Sequence, residues 1–309
     1  METRRIGSLD VSVVGLGCNN FGGRIDERAT RAVVDAAIDA GITFLDTADG
    51  YGNTRSEEFL GRILQGRRER VVLATKFGGM RADLGREGGA SPAYVREAVE
   101  GSLRRLQTDR IDLYQLHTPD RSTPIADTLG ALDELVGAGK VREIGCSNFD
   151  AALLARADAV FAPGAARFAS VQNELNLLDR RDAYAALPAA ERLGLAYIPY
   201  FPLASGLLSG KFRRGEAPPR GTRVAGWPAE RIATVLTDQT FDRIDTFTTF
   251  AGALGRSLLE LAFGWLLSLR PVASVIAGAT SPAQVDANVA ASTWRLDESE
   301  LAELTQALL

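Results

Sequence analysis

Four side chains that can transfer a proton or carry a charge stand at the ends of consecutive apolar runs in this sequence. Asp46 and Lys76 each end one such run, His117 ends the next, and Tyr51 lies five positions after Asp46. If these runs are neighbouring strands of a barrel, the four groups converge on one volume. Burying an acid, an amine and an imidazole is costly unless they pair with one another, so this placement predicts a shared polar site.

The chemistry expected of these groups is proton transfer to a carbonyl oxygen. Asp46 can hold Lys76 as an ion pair, and the positive charge of Lys76 is expected to lower the pKa of the Tyr51 phenol. A tyrosine of lowered pKa donates a proton well to a carbonyl oxygen that is receiving a hydride. His117 can donate a hydrogen bond to that oxygen or help to relay the proton.

Each of the four residues alone also has an ordinary structural explanation. Asp46 can cap a turn, and Tyr51 can be a packed aromatic. Lys76 can extend its ammonium to the surface, and His117 can be a structural histidine. Their shared placement favours the functional interpretation. Lys76 is also one of only three lysines among 35 lysines and arginines, so a chain that rarely uses lysine keeps one where a titratable amine is needed.

The scarcity of histidine and cysteine argues against a metal site. His117 is the only histidine, which excludes a barrel metallohydrolase that binds its ions through several histidines, and no metal ligand is predicted. Cys18 and Cys146 are too few for a disulfide scaffold, and we expect them to be buried, reduced thiols.

The length and the charge of the chain limit the remaining classes of protein to which it could belong. The chain has 309 residues, 46% of them hydrophobic, and a formal net charge of −4. This length fits one α/β barrel, so residues 1–309 are predicted to form a single domain. The charge predicts no face for nucleic acid or membrane. The N-terminal segment lacks the apolar run of a signal peptide, and no stretch approaches the roughly 18–20 apolar residues of a membrane span, so we expect a cytoplasmic protein.

The elements that must position these residues alternate between short apolar runs and longer helical patterns. A first hairpin is predicted near Arg4–Val14, turning at Gly7-Ser8. The strands predicted after it are Val13–Gly17, Thr43–Thr47, Val71–Lys76, Ile111–His117, Val141–Ser147, Ala169–Glu174, Leu195–Phe201 and Ser274–Ala279. The predicted helices lie near 27–40, 55–65, 92–107, 124–138, 150–158, 181–193, 229–252, 258–268, 282–291 and 298–308.

Repeated β-α units of this kind predict a parallel sheet with right-handed crossovers. Eight units favour a closed (β/α)8 TIM barrel, here with an N-terminal β-hairpin and extra C-terminal helices. The alternative is an open doubly wound sheet, but the G-x-G-x-x-G fingerprint expected after its first strand is incomplete in Gly15–Asn20. In a barrel, chemistry is located where the strands end, at the C-terminal face.

Local signals also predict helix caps and two long loops. The pairs Thr54/Glu57, Ser257/Glu260 and Ser281/Gln284 have capping-box spacing, and Ser91-Pro92, Thr123-Pro124 and Ser281-Pro282 place a cap before a first-turn proline. The long connections Phe77–Ala90 and Lys211–Pro228 are either functional lids or variable surface insertions.

Seven ordered stretches of the sequence resemble the aldo-keto reductase superfamily, over nearly the whole chain. They are Phe44–Gly52, Ala74–Lys76, Leu113–His117, Gly145–Phe149, Val171–Glu174, Tyr200–Lys211 and Val275–Ser281. The resemblance implies an NAD(P)H-dependent oxidoreductase that reduces an aldehyde or ketone, or oxidises the matching alcohol or sugar, by hydride transfer. It implies a catalytic tetrad of Asp46, Tyr51, Lys76 and His117, with Tyr51 as general acid.

The same resemblance implies a nicotinamide cofactor bound in extended form across the barrel mouth. Ser147, Asn148 and Gln172 would hold its carboxamide, and Tyr200 would stack on the nicotinamide ring. The Leu203–Lys211 loop would line the pyrophosphate, through Leu203, Ser205, Gly206 and Lys211. Gly278, Thr280, Ser281, Gln284 and Asn288 would surround the adenosine end. Ser281 is also predicted to cap a helix whose N-terminus would favour a phosphate.

The choice of cofactor depends on the segment that would grip the ribose phosphate. No Lys or Arg occurs between Ile276 and Ala290, where many NADP-using members carry one, and Thr280 and Ser281 stand there instead. A 2′-phosphate would lack a charge-assisted partner there. We favour NADP(H), with NAD(H) as the alternative. The second functional hypothesis is a non-catalytic, NADP-binding regulatory subunit like the channel β subunits of the same superfamily.

Overall fold

The computed structural model describes residues 1–79, 89–161 and 163–306, so most of the predicted loop Phe77–Ala90 lies outside the described residues. Strands β1 (Thr3–Ile6) and β2 (Leu9–Ser12) form an antiparallel hairpin that turns at Gly7-Ser8, as predicted. Eight parallel strands follow, and each begins and ends within one residue of its predicted bounds. They are β3 Val14–Gly17, β4 Phe44–Asp46, β5 Val72–Phe77, β6 Ile111–Leu116, β7 Val141–Ser147, β8 Phe168–Glu174, β9 Ala196–Tyr200 and β10 Val275–Gly278.

The eight strands form a nearly closed barrel, not an open sheet. Their order is β10-β3-β4-β5-β6-β7-β8-β9, and every neighbouring pair is parallel. The seam between β9 and the segment before β10 is joined by backbone hydrogen bonds. Tyr197 N donates to the Pro271 carbonyl at 2.6 Å, and Ala273 N donates to the Tyr197 carbonyl at 2.9 Å. These bonds confirm the barrel prediction over the doubly wound alternative.

The hairpin closes the N-terminal end of the barrel. Its apolar residues Ile6, Leu9 and Val11 form one buried cluster with the barrel residues Phe44 and Leu113. The hairpin turn is held by Glu143 on β7, whose Oε1 accepts a hydrogen bond from Ser8 N at 2.7 Å. With this end plugged by apolar side chains, the C-terminal ends of the strands are left as the mouth.

Helices pack around the outside of the barrel. They are α1 Glu27–Asp39, α2 Arg55–Ile63, α3 Pro92–Leu106, α4 Ile125–Gly137, α5 Ala151–Val160, α6 Ala186–Leu193, α7 Ala229–Val235, α8 Asp238–Ala253, α9 Leu258–Ser268, α10 Pro282–Ala291 and α11 Glu298–Gln306. The predicted helix 229–252 is wrong as one element, because Thr237 interrupts it. The Thr237 side chain accepts a hydrogen bond from Thr240 N and so caps a second helix.

One further expectation from local pattern holds only in part, and another is confirmed. The first half of the predicted helix 181–193 is a separate 3-10 turn over Arg181–Tyr184, and α6 begins at Ala186. Pro188 lies in the first turn of α6, where a residue without an N–H is tolerated. Cys18 and Cys146 are buried and free, as predicted.

The predicted helix caps separate into true and false ones. Ser257 and Glu260 form the full capping box, and Ser91 caps α3. Thr54 is wrong as a cap, because its φ of 71° turns the hydroxyl toward Glu58, to which it donates at 2.7 Å. Ser281 makes no side-chain cap bond, and Gln284 instead accepts from Thr280 N at 2.9 Å.

Thr123 does not cap α4 either. The Thr123 hydroxyl donates to the Asp120 carboxylate at 2.9 Å, and Pro124 occupies the cap position. The spacing of residue types was the same at the true and the false sites, and Ser281 shares the extended backbone region of Ser257, so neither spacing nor the φ/ψ region alone identifies a cap.

No single described helix is long and apolar enough to cross a membrane; α8 and α9 satisfy that test only when counted together, across a bend of 86°.

Ser257 caps α9 whereas Ser281 makes no cap bond, so their substitution should affect the stability of the protein differently. Ser257→Ala removes the side-chain acceptor of a real cap and should lower the free energy of unfolding by about 1 kcal/mol. Ser281→Ala removes no cap bond and should change it by less than about 0.5 kcal/mol. Urea unfolding of the two variants beside the parent measures both. Equal losses at both sites would contradict the assignment of the caps.

Candidate active site

Lys76 is the centre of a polar cluster at the C-terminal ends of β4 and β5. Its side chain is fully buried, and Nζ donates to Oδ2 of Asp46 at 2.6 Å. A second bond runs from Nζ to the Thr47 carbonyl at 2.8 Å, and a third, longer one runs to the Tyr51 hydroxyl at 3.4 Å. The ion pair predicted from the sequence is therefore present, and the phenol lies beside its cationic member.

Burial and charge act in opposite directions on these groups. Burial raises the pKa of Tyr51, and although the Lys76 charge opposes this rise, the net direction is upward. The expectation of a lowered phenol pKa is therefore wrong in direction, because desolvation of a phenolate outweighs one nearby cation. Burial alone would lower the pKa of Lys76, but Asp46 and Tyr51 raise it above its ordinary value. The amine therefore stays protonated.

His117 lies against Tyr51 and is uncharged. The two rings meet edge to face, with centroids 5.8 Å apart. Burial, aided by the Lys76 charge, lowers the pKa of His117 to about 3. Its Nδ1 is buried, with no hydrogen-bond partner in the part of the chain that the structure describes. A neutral imidazole can still donate one N–H, so His117 can be a hydrogen-bond donor although not a cation at neutral pH.

Two glutamine amides hold the other oxygen of Asp46. Gln115 Nε2 donates to Oδ1 at 3.1 Å, and Gln172 Nε2 donates to the same atom at 2.9 Å. Gln172 was expected either as a cofactor ligand or as a residue that satisfies strand ends, and Gln115 was not singled out. The sequence did contain a signal for Gln115, because a glutamine between Tyr114 and Leu116 in a predicted barrel strand requires a buried polar partner.

A cavity of about 520 Å³ opens at the mouth above this cluster. Asp46, Tyr51 and His117 reach its surface, whereas Lys76 lies beneath it. Of the residues expected to hold a cofactor, the structure places all but Ser281 in its lining: Ser147, Asn148, Gln172, Tyr200, Leu203, Ser205, Gly206, Lys211, Gly278, Thr280, Gln284 and Asn288.

One wall of the cavity is a chain of hydrogen bonds from β7 to β9. The Tyr200 hydroxyl donates to Asn148 Oδ1 at 2.8 Å, and Asn148 Nδ2 donates to the His117 carbonyl at 2.8 Å. Ser147 donates its hydroxyl hydrogen to the Gln172 carbonyl at 2.6 Å. Asn148 has a φ of 61°, a left-handed conformation that is rare outside glycine and that concentrates at functional sites.

The segment Lys211–Pro228 reaches across the mouth. This position favours the interpretation of the segment as a functional lid and not as a variable surface insertion. Nη2 of Arg223 donates to Oδ1 of Asn19 at 3.0 Å and to Oδ1 of Asn20 at 2.9 Å, and its guanidinium lies 5.5 Å from the centre of the Phe201 ring. Arg24 donates to the Gly221 carbonyl at 2.8 Å. The part of the segment around Gly221 and Arg223 is thus attached to the loop after β3.

Arg223 and Arg24 line the cavity, and sequence reasoning missed them. Neither forms an ion pair with any residue in the described ranges. Burial lowers the pKa of Arg223, with a further contribution from the charge of Arg24. Asp46 is the only acidic residue that lines the cavity within those ranges, and it is already paired with Lys76. The cavity is therefore suited to an anionic ligand.

The comparisons with known proteins agree with this geometry. The model of the aldo/keto reductase family matches residues 13–309. The aldo-keto reductase YhdN of Bacillus subtilis (strain 168) is 32% identical over 311 residues, which cover 97% of this chain and 91% of that protein. A probable voltage-gated potassium channel subunit beta of Oryza sativa subsp. japonica is 33% identical over 306 residues, with coverage of 94% and 91%.

A solved structure has the same fold. The aldo-keto reductase AKR11C1 from Bacillus halodurans, in its holo form, superposes with a TM-score of 0.82 at 33% sequence identity, over 99% of this chain and 96% of that one. The chain therefore belongs to the aldo/keto reductase family of NAD(P)H-dependent oxidoreductases.

Proposed function

We propose that this chain reduces an aldehyde or a ketone by hydride transfer, or oxidises the matching alcohol, with Tyr51 as the general acid. The observation that carries the proposal is the Tyr51 hydroxyl 3.4 Å from the buried ammonium of Lys76, at the floor of the cavity. A phenol in this position can give its proton to a carbonyl oxygen, and the phenolate that remains is stabilised by the adjacent positive charge.

Each member of the tetrad has one task in this proposal. Asp46 keeps Nζ of Lys76 in place through the 2.6 Å ion pair. Lys76 stabilises the negative charge that develops on Tyr51. His117, which is neutral, donates a hydrogen bond to the carbonyl oxygen and orients it toward the phenol.

The cavity suits a nicotinamide dinucleotide, which supplies the hydride when it is bound. Gln172, Ser147 and Asn148 offer amide and hydroxyl groups at the inner end of the cavity, and the Tyr200 ring offers a flat face. Lys211, Arg24 and Arg223 provide positive charge for the phosphates. Arg223 belongs in this set because its guanidinium is partly buried and has no acidic partner among the residues that the structure describes.

We favour NADP(H), and NAD(H) is the alternative. The three cations that line the cavity favour the more highly charged cofactor. Against this, the uncharged Thr280 and Ser281 occupy the expected phosphate segment, and the side-chain oxygen of the nearby Gln284 already accepts from Thr280 N and Oγ1 at 2.9 and 3.3 Å. The Gln284 amide nitrogen takes part in neither bond, and we assign it, together with Asn288, to the ribose.

A regulatory subunit is the second candidate, because one relative is named as a potassium channel β subunit. A single-turnover experiment separates the two functions. The protein is loaded with NADPH and mixed with a panel of reactive aldehydes, and the nicotinamide absorbance is followed. Decay of the absorbance supports the reductase, and no decay with any aldehyde supports the binding function.

Tyr51→Phe tests the general acid. We expect kcat to fall by about 10²- to 10⁴-fold, because only the proton donor is lost, while the Kd for NADPH changes little. The matched control is Tyr184→Phe, since Tyr184 is 69% exposed and lies outside the cavity lining. Reduction by Tyr51→Phe at the parental rate would rule out the role assigned to this phenol.

The pKa directions predict different pH profiles for the two reaction directions. Reduction needs the protonated phenol, and the raised pKa of Tyr51 keeps it protonated across the neutral range. Because the pKa of His117 is about 3, no histidine titration is expected near its ordinary value of about 6.5. The kcat for reduction should therefore be flat through neutrality, and alcohol oxidation, which needs the phenolate, should rise with pH. A bell-shaped reduction profile centred near neutrality would contradict these assignments.

Arg223→Met tests the cation that covers the cavity. Loss of a charge-assisted contact to a phosphate should weaken both NADPH and NADH by about 10- to 100-fold, because the pyrophosphate is common to the two. Fluorescence titration measures the Kd of each without turnover, and the parental values also compare NADP(H) with NAD(H). Arg220→Met, an exposed arginine of the same segment outside the lining, is the control. Equal Kd values for parent and Arg223→Met would remove Arg223 from the cofactor site.

A further inference from the structure

Gln115 is fully buried at the end of β6 and does not line the cavity, so it touches neither cofactor nor substrate. It stands beside Lys76 in the β5–β6 pairing. Its side chain nevertheless extends past β5 to Asp46 on β4, where Gln115 Nε2 donates to Asp46 Oδ1 at 3.1 Å. A Cβ on Gly145, the partner of Gln115 on β7, would lie 3.2 Å from Gln115 Cγ, so the glycine leaves room for this side chain.

The hydrogen bonds of Gln115 form a closed ring. Its Nε2 donates to Asp46, its Oε1 accepts from Gln172 Nε2 at 3.3 Å, and Gln172 Nε2 also donates to Asp46 at 2.9 Å. Both polar atoms of the Gln115 amide are therefore used, and its orientation is determined by its partners.

This ring divides the two oxygens of Asp46 between two tasks. Oδ1 accepts from the glutamines, and Oδ2 accepts from Lys76 at 2.6 Å. Asp46 is only 2% exposed, so water cannot easily replace a lost donor. Without Gln115 the carboxylate would keep a single amide donor on Oδ1 and could rotate about its last bond.

We propose that Gln115 is a positioning residue of the reaction, which acts through Asp46 to keep the Lys76 ammonium beside the Tyr51 hydroxyl. The proposal deepens the reductase function proposed above and rests on it. The effect reaches the reacting phenol through two intervening side chains, so it should change the rate of the chemical step and leave ligand binding nearly intact.

Two substitutions test the proposal by their kinetics. Gln115→Leu removes the donor and should lower kcat by about 10- to 100-fold, with KM and the Kd for NADPH within about twofold of the parent. Gln115→Glu places a carboxyl that can donate to Asp46 only while protonated. Its kcat should approach the parental value at acidic pH and fall as the new carboxyl ionises, because two neighbouring carboxylates repel each other.

The control is Tyr114→Phe, one residue away on the same strand. The Tyr114 hydroxyl is buried with no hydrogen-bond partner in the described ranges, and its ring stacks on Phe77 instead of facing the site. This variant should keep the parental kcat. A parental kcat in Gln115→Leu, or a parental pH profile in Gln115→Glu, would overturn the proposal.

A structural measurement keeps this test separate from that of the overall function. Crystal structures of the cofactor-free parent and of Gln115→Leu should show Asp46 rotated in the variant and Lys76 Nζ displaced from the Tyr51 hydroxyl. Unchanged positions of all three groups would refute the role of Gln115 even if no aldehyde is reduced. If the parent reduces no aldehyde while the displacement occurs, the reductase function fails and the positioning of Lys76 by Gln115 stands.

Discussion

The ammonium of Lys76 carries a full positive charge with none of its side chain exposed to solvent. Removing such a charge from water costs several kcal/mol, and the carboxylate of Asp46 offsets this only if its own desolvation is compensated as well. The compensation is visible atom by atom, because Lys76 has three acceptors and Asp46 has donors on both oxygens. The proposed proton donor, Tyr51, depends on this pair for the stabilisation of its phenolate.

The barrel provides what this pair requires. Because parallel strands bring their C-terminal ends to one face, groups from β4, β5, β6 and β8 meet although they are far apart in the chain. The hairpin fills the opposite end with apolar side chains, so within the described ranges the polar cluster opens only toward the mouth. An opening on one side limits the access of water, and the electrostatic interactions inside are stronger for that reason.

The residues around the mouth of the cavity differ in charge from the Asp46–Lys76 pair beneath it. The floor is a paired acid and base of no net charge, whereas the roof and rim carry Arg24, Arg223 and Lys211. An anionic ligand that crosses the mouth would therefore meet positive charge along its length without disturbing the pair beneath it. The segment Lys211–Pro228 is also held outside the cavity by ion pairs, in which Arg214 contacts Asp238, Asp242 and Asp245 on α8.

The strands, the barrel and the tetrad candidates could all be predicted from the amino-acid sequence, because period, turn residues and strand-end polarity are local properties of the chain. The sequence did not determine that Ser281 fails to cap α10 or that α7 and α8 separate at Thr237, because the spacing of residue types does not decide which hydrogen bonds a side chain makes. The direction of the Tyr51 pKa was also decided by the fold, since desolvation depends on everything packed around the phenol. Gln115 and Arg223 acquire their partners from strands and loops remote in sequence, and only the closed barrel brings those atoms within hydrogen-bonding distance.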